Sequence, residues 1–225
     1  STHCISSAAS DVYKRQGKMY FSGLEDKYPV KYQKQGSYVG GLFVFESKLT
    51  QEFRLHFDEK IAEMFQSIGI REGSVWIEVF HDGENYYFNE VGFRYGGSVS
   101  IYPVDYFYQI NQVAADIHYA LTGESCISEH TSLIRSTLPR KKYYCIYPVH
   151  INAGTISSIS GLDKIAQLEN IVYLATTKYL HDRIESSGSF SQVFALVHFV
   201  CNTTEECIQT CLLYTSPSPR DVEES

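Results

Sequence analysis

The chain has 225 residues, 44% hydrophobic and 20% charged, with 26 acidic against 19 basic side chains and a net charge of −7. That composition supports a packed core, excludes disorder through the middle of the chain, and its acidic balance argues against a nucleic-acid binder. No apolar run approaches the roughly 18 residues of a membrane span, so neither nucleic acid nor a membrane is expected as a partner.

The two ends share an origin that the genetic code exposes. Asp11-Val-Tyr-Lys-Arg-Gln16 can be encoded by GAT GTG TAT AAG AGA CAG. The reverse complement, shifted by one base, encodes Cys-Leu-Leu-Tyr-Thr-Ser, which are residues Cys211 to Ser216. One DNA element translated forward at one end and backward at the other resembles read-through of a sequencing-library adapter. Residues 1–16 and 211–225 are therefore expected to be adapter-derived tails, set aside from fold reasoning, around a native portion of 17–210. Of the six cysteines, Cys4 and Cys211 fall in those tails, and Cys126, Cys145, Cys201 and Cys207 show no metal-ligand spacing. Reduced thiols and a cytoplasmic location are the expectation.

In chain order, the first strong element is a helix over Thr50 to Ile68. Phe53, Phe57, Ile61, Met64, Phe65 and Ile68 recur at three- and four-residue steps, and Gly69 suits a left-handed C-terminal cap. Next, Val75 to Gly97 reads as two aromatic-rich strands of a hairpin around Asp82-Gly83. A two-residue Asp-Gly turn places Glu78 and Glu90 on opposite faces. A three- or five-residue loop centred on Glu84 sets them directly across from each other, and this register is favoured. Facing carboxylates with Cβ atoms roughly 5 Å apart repel, so they need a cation or a raised pKa, and magnesium suits such a pair. Taken alone, two strand glutamates are also common as solvated surface groups.

Arg94 to Asp105 follows as a loop, with Gly96, Gly97, Ser98 and Ser100 small enough to let backbone approach an anion or simply to link strand to helix. A helix over about Ile110 to Leu121 is expected to turn Ile110, Val113, Ala114, Ile117 and Leu121 inward behind the hairpin and to stop near Gly123. Residues 124–142 lose periodicity and mark a linker. Beyond it come short strands at Tyr143 to Ile151, Gly154 to Ile159, Ile171 to Lys178 and Gln192 to Val200. A short helix is expected near Leu162 to Leu168, and another is capped by Thr203 or Thr204. The histidines are scattered without ligand spacing, and Ser98 and Ser100 have no recognisable base.

Glu78, then Glu90-Val-Gly-Phe-Arg94 and Gly96-Gly97, resembles the metal-binding end of an ATP-grasp domain, whose usual pattern is a strand Glu, a hairpin and E-x-N-x-R. The preceding helix, the following helix ending in Leu-Thr-Gly123, and Ala153 to Leu162 within Tyr143 to Thr204 resemble the same family, in its carbamoyl-phosphate-synthase-like and amino-acid-ligase-like branch. The resemblance covers most of residues 24 to 209. It implies an α+β fold: an ATP-grasp C-terminal subdomain, an antiparallel sheet with packed helices, over 17–123, then a small β-rich subdomain over 143–210. It also implies that Glu78 and Glu90 hold Mg2+ and that Arg94 binds the transferring phosphoryl group of ATP as the catalytic residue. The reaction would be ligation of a small-molecule carboxylate to an amine through an acyl phosphate. Carbamoyl-phosphate-synthase-like or biotin-carboxylase-like chemistry, or a degenerate nucleotide-binding module, are the alternatives. One residue departs from the pattern. Gly92 stands where the family has an Asn metal ligand, so the resemblance implies a second metal held less fully or by another group. The nucleotide-binding lysines and glycine-rich loop of the family lie upstream of this piece, which alone is expected to be inactive. Substrate identity and oligomeric state are not legible in it.

Overall fold

The computed structural model describes residues 5–8, 12–15, 18–31, 38–97, 99–126 and 142–215. Most of the linker expected over 124–142, Ser98, and the tails apart from 5–8, 12–15 and 211–215 lie outside these residues. The chain divides into two compact units, Ser1–Lys27 with Val44–Pro139, and Tyr28–Phe43 with Arg140–Ser225.

The first unit contains β1 (Ile5–Ala8), β2 (Val12–Arg15) and β3 (Lys18–Phe21), and shares β4 (Glu25–Lys31) and β5 (Tyr38–Phe45) with the second. It continues with α1 (Thr50–Ser67), β6 (Gly73–His81), β7 (Tyr86–Gly92), α2 (Ile101–Tyr108) and α3 (Gln112–Thr122). Strand β6 organises this sheet. It pairs antiparallel with β7, with β1 over Val79 to His81 and with β2 over Gly73 to Val75, and β2 carries β3.

Because side chains alternate along a strand, Val75, Ile77 and Val79 share one face of β6. They form the core of this unit with Phe21, Leu24, Phe53, Ile61 and Phe65. The Phe53 ring lies 5.4 Å from Phe21 and 4.9 Å from Phe57. The start of α1 is held by Ser47, whose hydroxyl accepts from the Leu49 N–H (3.1 Å) and whose carbonyl accepts from Thr50 (3.2 Å). Gly69, at φ +77, ends it. Two residues of the expected inward stripe do not belong to it: Met64 and Ile68 are exposed. They stand off the line Phe53, Ile61 and Phe65 that meets the sheet.

Helix α3 departs further from its apolar reading. Asn111 caps it by accepting from the Ala114 N–H at 2.9 Å, and Gly123 closes it at φ +71. Yet Ala114, Ile117 and Leu121 face out, while Gln112 and Ala115 are buried and Asp116 is half-buried. The reason is polar: Asp116 accepts from Ser74 Oγ (3.3 Å) on β6 and from the Tyr95 hydroxyl (2.5 Å). The expected loop over Arg94 to Asp105 is also shorter than its range, because Ile101–Tyr108 is helical. Pro103 is tolerated there since first-turn N–H groups have no intrahelical acceptor.

The second unit contains β8 (Tyr143–His150), β9 (Gly154–Thr155), α4 (Leu162–Ala166), β10 (Ile171–Thr176), β11 (Arg183–Ile184), a 3₁₀ turn (Phe190–Gln192), β12 (Val193–Cys201) and α5 (Thr204–Thr215). Strand β12 lies between β8 and β10, antiparallel to both, and β8 continues to β5. A near-continuous apolar strand such as Val-Phe-Ala-Leu-Val-His-Phe-Val-Cys suits a position covered on both faces, and its residues are buried almost throughout. Thr203 caps α5, its hydroxyl accepting from the Glu206 N–H at 3.1 Å. The strand expected over Gly154 to Ile159 is only the two-residue β9, paired with β11. Among the described residues no helix is long and apolar enough to cross a membrane.

Candidate functional site

The hairpin β6–β7 carries the residues of interest, and its turn is built by one carboxylate. Asp82 Oδ1 accepts from the N–H groups of Glu84 (2.9 Å) and Asn85 (2.8 Å), and Oδ2 accepts from the Tyr87 hydroxyl (2.9 Å). These bonds, the one from Asn85 first, hold the Asp82 carboxyl down at about 2. Gly83, at φ +107, takes the left-handed position.

His81 pairs with Tyr86, so the loop has four residues, 82–85, rather than the three or five expected. By the period of two, an unbroken β7 would then carry Glu90 on the face of Phe88, which packs on α1 with its ring 5.2 Å from Phe57. A bulge corrects this. Val79 pairs with Phe88 and Glu78 with Glu90, leaving Asn89 as the extra residue. Glu78 and Glu90 thus face each other across the strands on the side away from α1, the arrangement expected, reached by another route.

Asn89 then contributes directly, its Nδ2 donating to Glu78 Oε2 at 2.6 Å. Lys27 Nζ lies 3.4 Å from Glu78 Oε1, and Arg94 Nη2 lies 3.5 Å from Glu90 Oε1. Glu78 is the more enclosed carboxylate, its side chain 12% exposed against 53% for Glu90. Arg94 also donates from Nη1 to the Tyr95 carbonyl at 2.8 Å, and its guanidinium carbon stands 4.8 Å from the centroid of the Trp76 ring. Trp76 pairs with Gly92 and shares the face of Glu78. A Cβ at position 92 would lie 3.3 Å from Arg94 Cγ and 3.5 Å from Trp76 Cε3. The next residue, Tyr95, is tied to α3 through Asp116, which fixes the chain just beyond the guanidinium.

Lys27, Trp76, Asn89 and Asp116 are absent from the sequence reading. Trp76 was recoverable from strand alternation with Glu78, and Asn89 from being a poor strand former among aromatics; Lys27 comes from a distant strand and carries no local signal. Two facing carboxylates are hard-oxygen donors of the kind magnesium takes, completed by water and phosphate oxygens. Among the described residues no three His, Cys, Asp or Glu side chains converge into a fuller metal cage. A cavity of about 470 Å³ lies instead in the second unit, under residues 151–160 with Ile184 and Phe194. Hydroxyls and isoleucines line it, with no charged group among the described residues.

No family model and no curated protein matches the chain. Solved structures do. L-amino acid ligase from Bacillus licheniformis superposes with a TM-score of 0.73 at 22% identity, over 92% of this chain and 50% of that one. Phosphoribosylglycinamide synthetase from Anaerococcus prevotii gives 0.66 at 12% identity, over 94% and 52%. The biotin carboxylase domain of Hydrogenobacter thermophilus 2-oxoglutarate carboxylase, in complex with magnesium ADP, ADP and bicarbonate, gives 0.65 at 14% identity, over 92% and 44%. The chain spans about half the length of these structures. What it shares with them is their α+β fold.

Proposed function

We propose that the chain is part of an ATP- and Mg2+-dependent ligase that joins a small-molecule carboxylate to an amine through an acyl phosphate. The observation that carries this reading is the pairing of Glu78 with Glu90 on one hairpin face with Arg94 beside them, in a fold shared with an amino acid ligase. Glu78 and Glu90 would hold magnesium, which when bound supplies positive charge for phosphate oxygens. Asn89 and Lys27 orient the Glu78 carboxylate, the first by its hydrogen bond and the second by charge. Arg94 presents a planar fork of donors suited to a phosphoryl group or acyl phosphate. Its bond to the Tyr95 carbonyl and its place over Trp76 fix where that fork can reach. Fixed donors aimed at developing charge are the main source of rate in such transfers.

The test is made on the protein from the uninterrupted gene, with phosphate release measured against a panel of amino acids. Glu78→Gln and Glu90→Gln are each expected to cut magnesium-dependent release by on the order of a hundredfold or more, with the fold kept. Unchanged nucleotide binding and turnover in both variants would reject the reading. The fold shared with biotin carboxylases at a TM-score of 0.65 supports a second reading. Release that needs bicarbonate and ignores amino acids would select it.

A further inference from the structure

We infer that Gly92 and Trp76 together form a seat for Arg94, and that Trp76 is a positioning residue for the guanidinium. The inference rests on the ligase reading for its consequence, though the seat stands on geometry of its own. Three observations meet there. The guanidinium carbon lies 4.8 Å from the Trp76 ring centroid, a distance at which a cation is attracted to an indole face. Gly92 is the residue directly across from Trp76. A side chain at 92 would begin 3.3 Å from Arg94 Cγ and 3.4 Å from its Nε, close enough that the arginine stem would have to give way by a few tenths of an ångström.

The absence of a Cβ at 92 is therefore used. It lets Arg94 fold back along β7 and lie over the indole, where the chain end of the fork bonds the Tyr95 carbonyl and the other faces Glu90. Trp76 is nearly buried, at 9% exposure, so it is a fixed platform, whereas Arg94 is half exposed and free to exchange its exposed partner Glu90 for an anionic group. A tryptophan platform preorganises the arginine without neutralising it, which a second carboxylate would do. On this view an Asn at position 92 competes with the arginine for one space, and Gly92 is the matched partner of Trp76.

Trp76 is the only tryptophan of the chain, so its fluorescence reads the seat directly. Acrylamide quenching of the 225-residue chain is the measurement. Arg94→Ala is expected to uncover the indole and raise the quenching constant roughly twofold, and Gly92→Ala, whose methyl shifts the arginine stem but itself touches the indole edge, is expected to change it less. Arg94→Lys, a narrower cation, should fall between. Because Gly92→Ala displaces only a flexible side chain, it tests the seat with folding intact. Quenching unchanged in both alanine variants overturns the inference.

In the protein from the uninterrupted gene, Gly92→Asn is expected to lower phosphate release on the order of tenfold or more, as misplacing a catalytic group does. Trp76→Phe, which keeps an aromatic face, should retain more kcat than Trp76→Leu at similar KM for ATP. A gain with Gly92→Asn overturns the seat by showing a missing ligand. If that protein releases no phosphate from ATP under any condition, the ligase reading fails, and the quenching result still decides the seat.

Discussion

In the first unit Lys27, Glu78, Glu90 and Arg94 pair across a sheet face at 3.4–3.5 Å with side chains 12–53% exposed. In the second, His198 and Tyr144 are fully buried and bond each other at 3.0 Å. The difference lies in what each environment permits. Charges near water cost little to keep and their ion pairs contribute little, which leaves them available to a ligand. A titratable group with no water must be neutral, so burial pushes the His198 imidazole down to about 4. The hairpin keeps its charged groups beside water, whereas the β8–β12 pair uses its polar groups to hold the sheet.

The largest expected effect probes the apolar support under the hairpin. Phe53 is fully buried among Phe21, Phe57 and Tyr86. Phe53→Ala should cost about 3–5 kcal/mol, read as a lower urea midpoint with Trp76 emission as the reporter of this unit. A loss under 1 kcal/mol would mean that the charged face, and not the α1 core, holds β6 in place.

The second effect is a pH dependence from His198. Unfolded, its pKa is about 6.5; folded, it is about 4. Above 6.5 the ring is neutral in both states and the stability is fully present. As pH falls through the window from 6.5 to about 4, the unfolded chain takes up a proton that the fold refuses. The fold should lose on the order of 3 kcal/mol across it. Hydrogen exchange of the β8 and β12 amides at pH 7 and 4.5, compared with His198→Gln, isolates the effect; the same pH slope in the variant would assign the loss elsewhere.

Much of this contrast was legible in the residues, and the misses share a cause. Glu78, Glu90 and Arg94 are legible as a set, while their spacing alone leaves open whether the two carboxylates share a face. The bulge at Asn89 does not show, because strand alternation is counted on an unbroken ladder and one extra residue inverts every face beyond it. The face of α3 is hidden from the apolar pattern for a related reason: Asp116 bonds Ser74 and Tyr95, so the helix turns a polar side to the sheet. The Trp76–Arg94 stack joins residues 76 and 94, on paired strands and the loop after them, and only the register brings them together. In the second unit the apolar run of β12 identifies a covered strand, but the burial of His198 within it depends on Tyr144 and Tyr173 from its two neighbours.

The smallest effect separates the turn from the bulge as the source of the register. Asp82 is fully exposed, and its carboxyl holds the N–H groups of Glu84 and Asn85. Its folded pKa is about 2 against about 3.9 unfolded. The stabilisation it gives is therefore complete above 3.9 and lost as pH falls toward 2, below the window in which His198 acts. Asp82→Ala should release those two amides to faster exchange and leave the rest of β6 and β7 protected. If the turn set the register, the variant would also break the close approach of the Glu78 and Glu90 backbones, measured as a cross-strand nuclear Overhauser effect. That signal is expected to persist, because Asn89 stays anchored to Glu78 at 2.6 Å, and a bulge tied down by its own side chain needs no turn to keep the two carboxylates on one face.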